Sequence, residues 1–326
     1  MSTIVDIFTA IQAWLFERAI QPALYALGLT HYAEIGYDAV ETLLLGMLQI
    51  GLLYCVLRPL EARFPVEHWS ERAATRVDVL YTWLHRLGVL PLLFFLLLGP
   101  AQDMIQGWLR FHDIIPKNID DVFPALMKHP LITFCVYFVV LDFADYWRHR
   151  LQHRFSWWWA LHSLHHSQRQ MTFWTDDRNH LLDDVIAGAW FALVALLIGV
   201  PPNQFVWIVI LGKLLESLSH ANIRFGFGVL GDRLLVSPRF HRVHHAMGLG
   251  HRGRALGVNF AKTFSLWDVL FHTANFTAVN PATGIDDQLS GRDYGKHFWK
   301  QQVLGIARLA DAVVSRHNTR PTKLDR

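Results

Sequence analysis

Two cysteines in 326 residues exclude a disulfide framework and a thiolate metal site, because Cys55 and Cys135 both lie inside apolar runs. Charge is scarce as well: Asp, Glu, Lys and Arg make up 17% of the chain and hydrophobic residues 52%. That balance is too apolar for an ordinary soluble domain and points to a membrane protein. The net charge of +3 is small and scattered, and the absence of a long basic run argues against a nucleic-acid partner. No dinucleotide fingerprint, no cysteine set for an iron–sulfur cluster and no His-Glu-x-x-His motif of a zinc hydrolase occurs. Histidine is the exception, with 19 residues, of which 12 fall between His149 and His272.

Taken in order, residues 4–30 are apolar but interrupted by Asp6, Glu17, Arg18 and Pro22. They lack the basic start and cleavage pattern of a signal peptide and read as an interfacial or loosely packed helix. Residues 42–57 form an apolar run ended by Arg58-Pro59, and with flanking residues it reaches the length of a span. A polar loop over 58–86 carries five arginines, and further runs follow at 87–109 and 131–147. Residues 184–219 are broken at Pro201-Pro202-Asn203, which predicts a helical hairpin. Lysine and arginine are few in 110–130 and many after Arg148, so the positive-inside rule puts the 58–86 loop and every histidine cluster on the cytoplasmic face. Phe298 to Val314 reads as an amphipathic helix, lying on the membrane or packed on the rest of the chain.

The histidines occur in sets. His149 and His153 are i, i+4 neighbours on a helix, and His162, His165 and His166 are i, i+3, i+4. His241, His244 and His245 repeat the second spacing about 80 residues later. Isolated histidines such as His31, His68, His85, His112, His129, His297 and His317 read as polar tips. Eight clustered imidazoles exceed the needs of one metal, so two metals are the simpler reading, although imidazole suits iron, zinc, copper and nickel alike. Haem would need only one histidine from each of two facing helices. Asp142, near the end of a membrane helix, is costly unless partnered, and orienting His149 or His153 is the role expected of it, with Arg148 or Arg150 as alternative partners. Trp157 to Trp159 are expected at the membrane interface.

The three sets, with Tyr146-Trp147, His220-Ala-Asn222, Asn259-Phe260 and Trp267-Asp268, resemble the histidine-box signature of the fatty acid hydroxylase/sterol desaturase superfamily over about residues 130–275. The resemblance implies an all-α membrane protein: transmembrane helices plus a cytosolic helical histidine-rich cap. Residues 1–129 would form the N-terminal membrane helices and a polar loop, 130–275 the di-iron domain and 276–326 the C-terminal tail with its amphipathic helix. It carries over His149, His153, His162, His165, His166, His241, His244 and His245 as metal ligands, and His220 as a ninth. By the same resemblance Glu216 is a candidate carboxylate ligand, with pairing to Lys213 as the alternative. His180 is another candidate, although Leu181 stands where relatives have proline. His251 and His272 lack a match, and relatives often have glycine at the latter.

The implied function is an oxygenase that hydroxylates or desaturates a lipid with dioxygen, using two iron ions for which zinc can substitute. The sequence lacks a fused haem element of the His-Pro-Gly-Gly type, so electrons are expected from a separate donor of ferredoxin or cytochrome b5 type with its reductase. A divalent-metal transporter is the alternative from another class, but its ligands should lie mid-membrane on broken helices. A purely structural helical protein is the third reading.

Overall fold

The apolar runs become long helices. The computed structural model describes residues 2–68, 72–114, 117–248, 257–277 and 279–318. The N-terminal run forms α1 (Ser2–Leu15), a π-helical turn (Phe16–Ile20) and α2 (Gln21–Ala26), with Pro22 in the first turn of α2. The long α3 (Ala33–Arg63) does not stop at Pro59 as its sequence suggests. It runs one turn further and places the Glu61 carboxylate where it accepts the backbone N–H groups of Phe173 and Asn222, both 2.9 Å away.

The segment read as a polar loop holds a helix, α4 (Arg72–Arg86). Its buried residues include the polar Thr75, Asp78, Thr82 and Arg86 beside Val77 and Tyr81, and these with the arginines of 58–86 mask the apolar spacing Val77, Leu80, Tyr81, Leu84. Gly46 of α3 lets α4 close in: a Cβ there would sit 1.7 Å from the Arg86 carbonyl oxygen. The chain continues through α5 (Val89–Phe111), the short α6 (Ile119–Val122) and α7 (Pro130–Arg154). After a single extended residue, Phe155, α8 (Ser156–His166) begins.

The expected hairpin is present as α9 (Leu181–Ile198) and α10 (Pro202–His220). Gly199 ends the first arm in the left-handed region, φ 64°, and a Cβ would collide with Asn118. Short helices α11 (Gly228–Leu234), α12 (Pro238–His244) and α13 (Leu266–Leu270) follow, then α14 (Phe298–Asn318). Of the two readings for α14, docking on the body of the protein is the one seen. It packs against α8, with Gln301 and Gln302 bonded to the Tyr81 hydroxyl.

Among the described residues, four helices are long and apolar enough to cross a membrane: Thr30–Arg63, Val89–Phe111, Pro130–Arg154 and Leu181–Ile198. The second hairpin arm, α10, is not among them. Only 6% of the apolar windows of α5 and α9 is buried within the protein. Side chains such as Leu93, Phe95, Leu97, Leu193 and Leu197 face outward. Each apolar side chain left in water would forgo about 1.5–3 kcal/mol of burial free energy, so these faces need lipid around them. The protein is an all-helical integral membrane protein. The last turns of α7 and α10, together with α8, α12 and the loops around them, gather at one end of the long helices.

Candidate metal centre

At that end nine histidines turn inward and divide into two groups. His149, His153, His162, His166 and His244 form one; His165, His220, His241 and His245 form the other. All nine are buried, and within each group the ligand atoms lie within 4.8 Å of one another.

Local sequence sets each position. On α7 the i, i+4 spacing stacks His149 and His153 on one face. On α8 the same spacing sends His162 and His166 into the first group, while His165, a quarter-turn away, enters the second. The third set reverses this division: His241 and His245 join the second group and His244 crosses into the first. Ser237 caps α12 by accepting from the Phe240 N–H, and Pro238 fixes its first turn. Asn222 anchors the chain beyond His220 by accepting from the N–H groups of Val66 and Glu67.

Ring nitrogens converge. The Nε2 atoms of His165 and His220, of His220 and His241, and of His241 and His245 are each 3.1 Å apart, and those of His162 and His166 are 3.2 Å apart. Four nitrogens in such a chain, each with one proton or one lone pair, cannot all satisfy one another. A cation accepting every lone pair would do so, and metal–nitrogen bonds of about 2.0–2.1 Å put neighbouring ligand nitrogens about 3 Å apart. The buried His149 Nε2 has no hydrogen-bond partner among the described residues. The residues present therefore fit a metal in each group.

The opposite nitrogens are held by the protein. Nδ1 of His149 lies 2.6 Å from the Phe260 carbonyl, that of His244 2.8 Å from the Val258 carbonyl, and that of His220 2.8 Å from the Glu216 carbonyl. Nδ1–H donation to these oxygens leaves the lone pair on Nε2. Burial holds the His165, His241 and His245 imidazoles well below their ordinary range, with neighbouring histidines adding to the effect. His162 is also lowered by burial, against the pull of Asp183. These rings are neutral near pH 7, the state a metal requires.

Asp183, which the sequence reading missed, is the carboxylate that orients a histidine. It accepts from His162 Nδ1 (3.2 Å), Trp158 Nε1 (2.7 Å) and Gln152 Nε2 (2.9 Å). Its signal was an acidic residue in the first turn of an apolar helix, two to three residues after His180 and Leu181. The expectation for Asp142 needs correcting, since neither histidine nor Arg148 or Arg150 is its hydrogen-bond partner. Asp142 accepts from the N–H groups of Thr263 and Phe264 and from Trp267 Nε1. The loop over 258–268 holds Asp142 because it presents two backbone N–H groups and the Trp267 indole at once. The same loop carries the Phe260 carbonyl, with the Phe260 and Ala261 N–H groups donating to Asp268. Asn259, at φ 58°, bonds the Phe240 and Asn275 carbonyls.

Two further candidates lie outside both groups. Both ring nitrogens of His180 are engaged, Nδ1 by the Leu182 N–H at the start of α9 and Nε2 by the Gln302 carbonyl (2.9 Å). Glu216 pairs with Lys213 (3.2 Å) and with Lys262, the alternative foreseen for it. These belong to a buried ionic belt: Arg148, Lys262, Lys213 and Arg86 alternate with Asp145, Glu216, Asp177 and Asp176. Four cations face four anions along this belt. His272 adopts φ 55°, a conformation glycine favours. His251 and the side chain of His317 lie outside the described residues. The tryptophan run is not simply an interface anchor: Trp158 is buried on Asp183, and the Trp159 ring lies 4.9 Å from His153.

This is a membrane-embedded helical scaffold closing over a paired histidine centre. Residues 134–273 match the family described as fatty acid hydroxylase, and this histidine-bearing part of the chain belongs to the fatty acid hydroxylase/sterol desaturase superfamily. An ornithine lipid hydroxylase of Rhizobium tropici is 30% identical over 135 residues, 41% of this chain and 39% of that protein. The alkylglycerol monooxygenase of Homo sapiens is 30% identical over 143 residues, 44% of this chain and 30% of that protein. A very-long-chain aldehyde decarbonylase of Oryza sativa subsp. japonica is 28% identical over 222 residues, 63% of this chain and 69% of that protein. The chain thus spans well under half the length of the first two. No solved structure matches it significantly.

Proposed function

We propose that the protein is a membrane-bound di-iron oxygenase that hydroxylates a lipid. The observation that carries this reading is the convergence of nine buried imidazoles into two adjacent groups at the end of lipid-facing helices. Relatives named as lipid hydroxylases and monooxygenases support it. His149, His153, His162, His166 and His244 would hold one iron; His165, His220, His241 and His245 would hold the other. Bound iron would supply the activation of dioxygen and the oxidation of an unactivated C–H bond. The chain's own contribution is to keep the imidazoles neutral, aim their Nε2 atoms inward and keep water from the centre by burial. Zinc fits the same nitrogens, and its presence would reflect substitution during expression.

Electrons come from a separate donor of ferredoxin or cytochrome b5 type. The site faces the cytoplasm: the arginine-rich 58–86 segment and the histidine groups share one side, since Arg86 pairs with Asp176 and Asp177 and Asp78 with Arg178. The positive-inside rule assigns that side to the cytoplasm. The transporter reading gains nothing here, because five of the nine histidines lie on α8 and α12, which are far too short to span.

The test is metal content per chain in mild detergent, with Mössbauer spectroscopy on protein grown with iron-57. Two antiferromagnetically coupled irons when oxidised are expected. His165→Ala and His244→Ala should each lose metal and turnover while still inserting in the membrane. No stoichiometric metal after reconstitution with ferrous iron would overturn the reading.

A further inference from the structure

On the outer side of α3 and α4 lies a cleft of about 670 Å³ that the metal centre does not use. Its floor and walls are apolar and aromatic, including Tyr54, Trp83 and Trp174, and Arg58, Arg72 and Arg76 line it as well. Arg72 and Arg76 are exposed and form no ion pair among the described residues. Thr75, also lining the cleft, has a buried hydroxyl with no hydrogen-bond partner among the described residues. A cationic rim, an unsatisfied hydroxyl and an aromatic wall are the complement of a molecule with an anionic head and an apolar body.

Position agrees with chemistry. The cleft lies along the C-terminal half of membrane helix α3, with tryptophan and tyrosine of the kind that collect at membrane interfaces beside arginine. It also adjoins the centre: Trp174 packs in one apolar cluster with Leu53, Leu57 and Ala221, the residue after His220. We propose that this cleft seats the headgroup of an anionic lipid, with Arg72 and Arg76 binding the phosphate or carboxylate and Tyr54 and Trp83 flanking the first carbons of the chain. The proposal deepens the oxygenase reading by giving its lipid an acidic head.

The experiment measures binding by native mass spectrometry of the metal-loaded full chain in neutral detergent, with dioleoyl phosphatidylglycerol and dioleoylglycerol as probes. Wild-type protein should retain the anionic lipid at least about tenfold better than the neutral one. The double variant Arg72→Gln/Arg76→Gln should lose that preference, and Arg72→Lys/Arg76→Lys should keep most of it. Metal content equal to wild type in both variants reports an intact fold. Equal retention of the two lipids by wild type, or no loss in the glutamine variant, overturns the proposal. Glycerol 3-phosphate binding as tightly as the lipid would also overturn it, because the cleft would then be an anion site alone. Lipid discrimination and metal content are read separately. Iron without discrimination sinks only the headgroup site; discrimination without metal sinks the oxygenase.

Discussion

Asp183 ties one imidazole to three elements: α7 through Gln152, α8 through Trp158 and His162, and its own α9. Asp183→Asn keeps the shape but removes the charge that favours the Nδ1–H tautomer of His162. Metal affinity should fall about 10–100-fold in competition with a chelator, with little change in membrane insertion. An unchanged affinity would show that His162 needs no such partner. At this scale the sequence revealed much of what the structure brings together, because the i, i+3, i+4 spacings dictate which imidazoles share a helix face. Partners from distant segments were not legible. Whether Asp142 meets a histidine depends on where the loop over 258–268 folds back, and whether Asp183 does depends on how α9 docks against α7 and α8; nothing in local periodicity encodes either return.

Among the elements, α4 was the least visible in the sequence and is among the most consequential. It buries Asp78 on Arg178 (2.8 Å) and Arg86 on Asp177 (3.0 Å), linking the arginine-rich segment to the strandless stretch between α8 and α9. Helix α3 meets it where Gly46 leaves room for the Arg86 carbonyl. Gly46→Ala forces backbone apart from backbone, which no side-chain rotation relieves. A loss of about 1–3 kcal/mol is expected, read as a lower thermal midpoint in detergent. The apolar runs behind α5, α7 and α9 were plain in the sequence because a helix bathed in lipid has no reason to vary its faces. Helix α4 does carry a helical spacing, Val77, Leu80, Tyr81 and Leu84, but its arginines and the polar residues of its buried face gave the segment the look of a loop.

For the molecule as a whole, burial of neutral imidazoles makes the metal-free state sensitive to acid. In the folded protein His165, His241 and His245 resist protonation, whereas in the unfolded chain each takes a proton at about pH 6.5. The unfolded state therefore binds more protons below that pH, and metal-free stability should drop as the pH falls from about 7 towards 5. Thermal midpoints of metal-free protein across that range test this; a flat profile would contradict the neutral assignment. The reciprocal crossing of His165 and His244 has a consequence for loading. Each group draws histidines from both α8 and the α12 turn, so under the proposed two-ion reading a first ion would order both segments and leave the second site formed. Uptake should then be cooperative, with metal titrations passing from empty to doubly filled without a populated single-ion species.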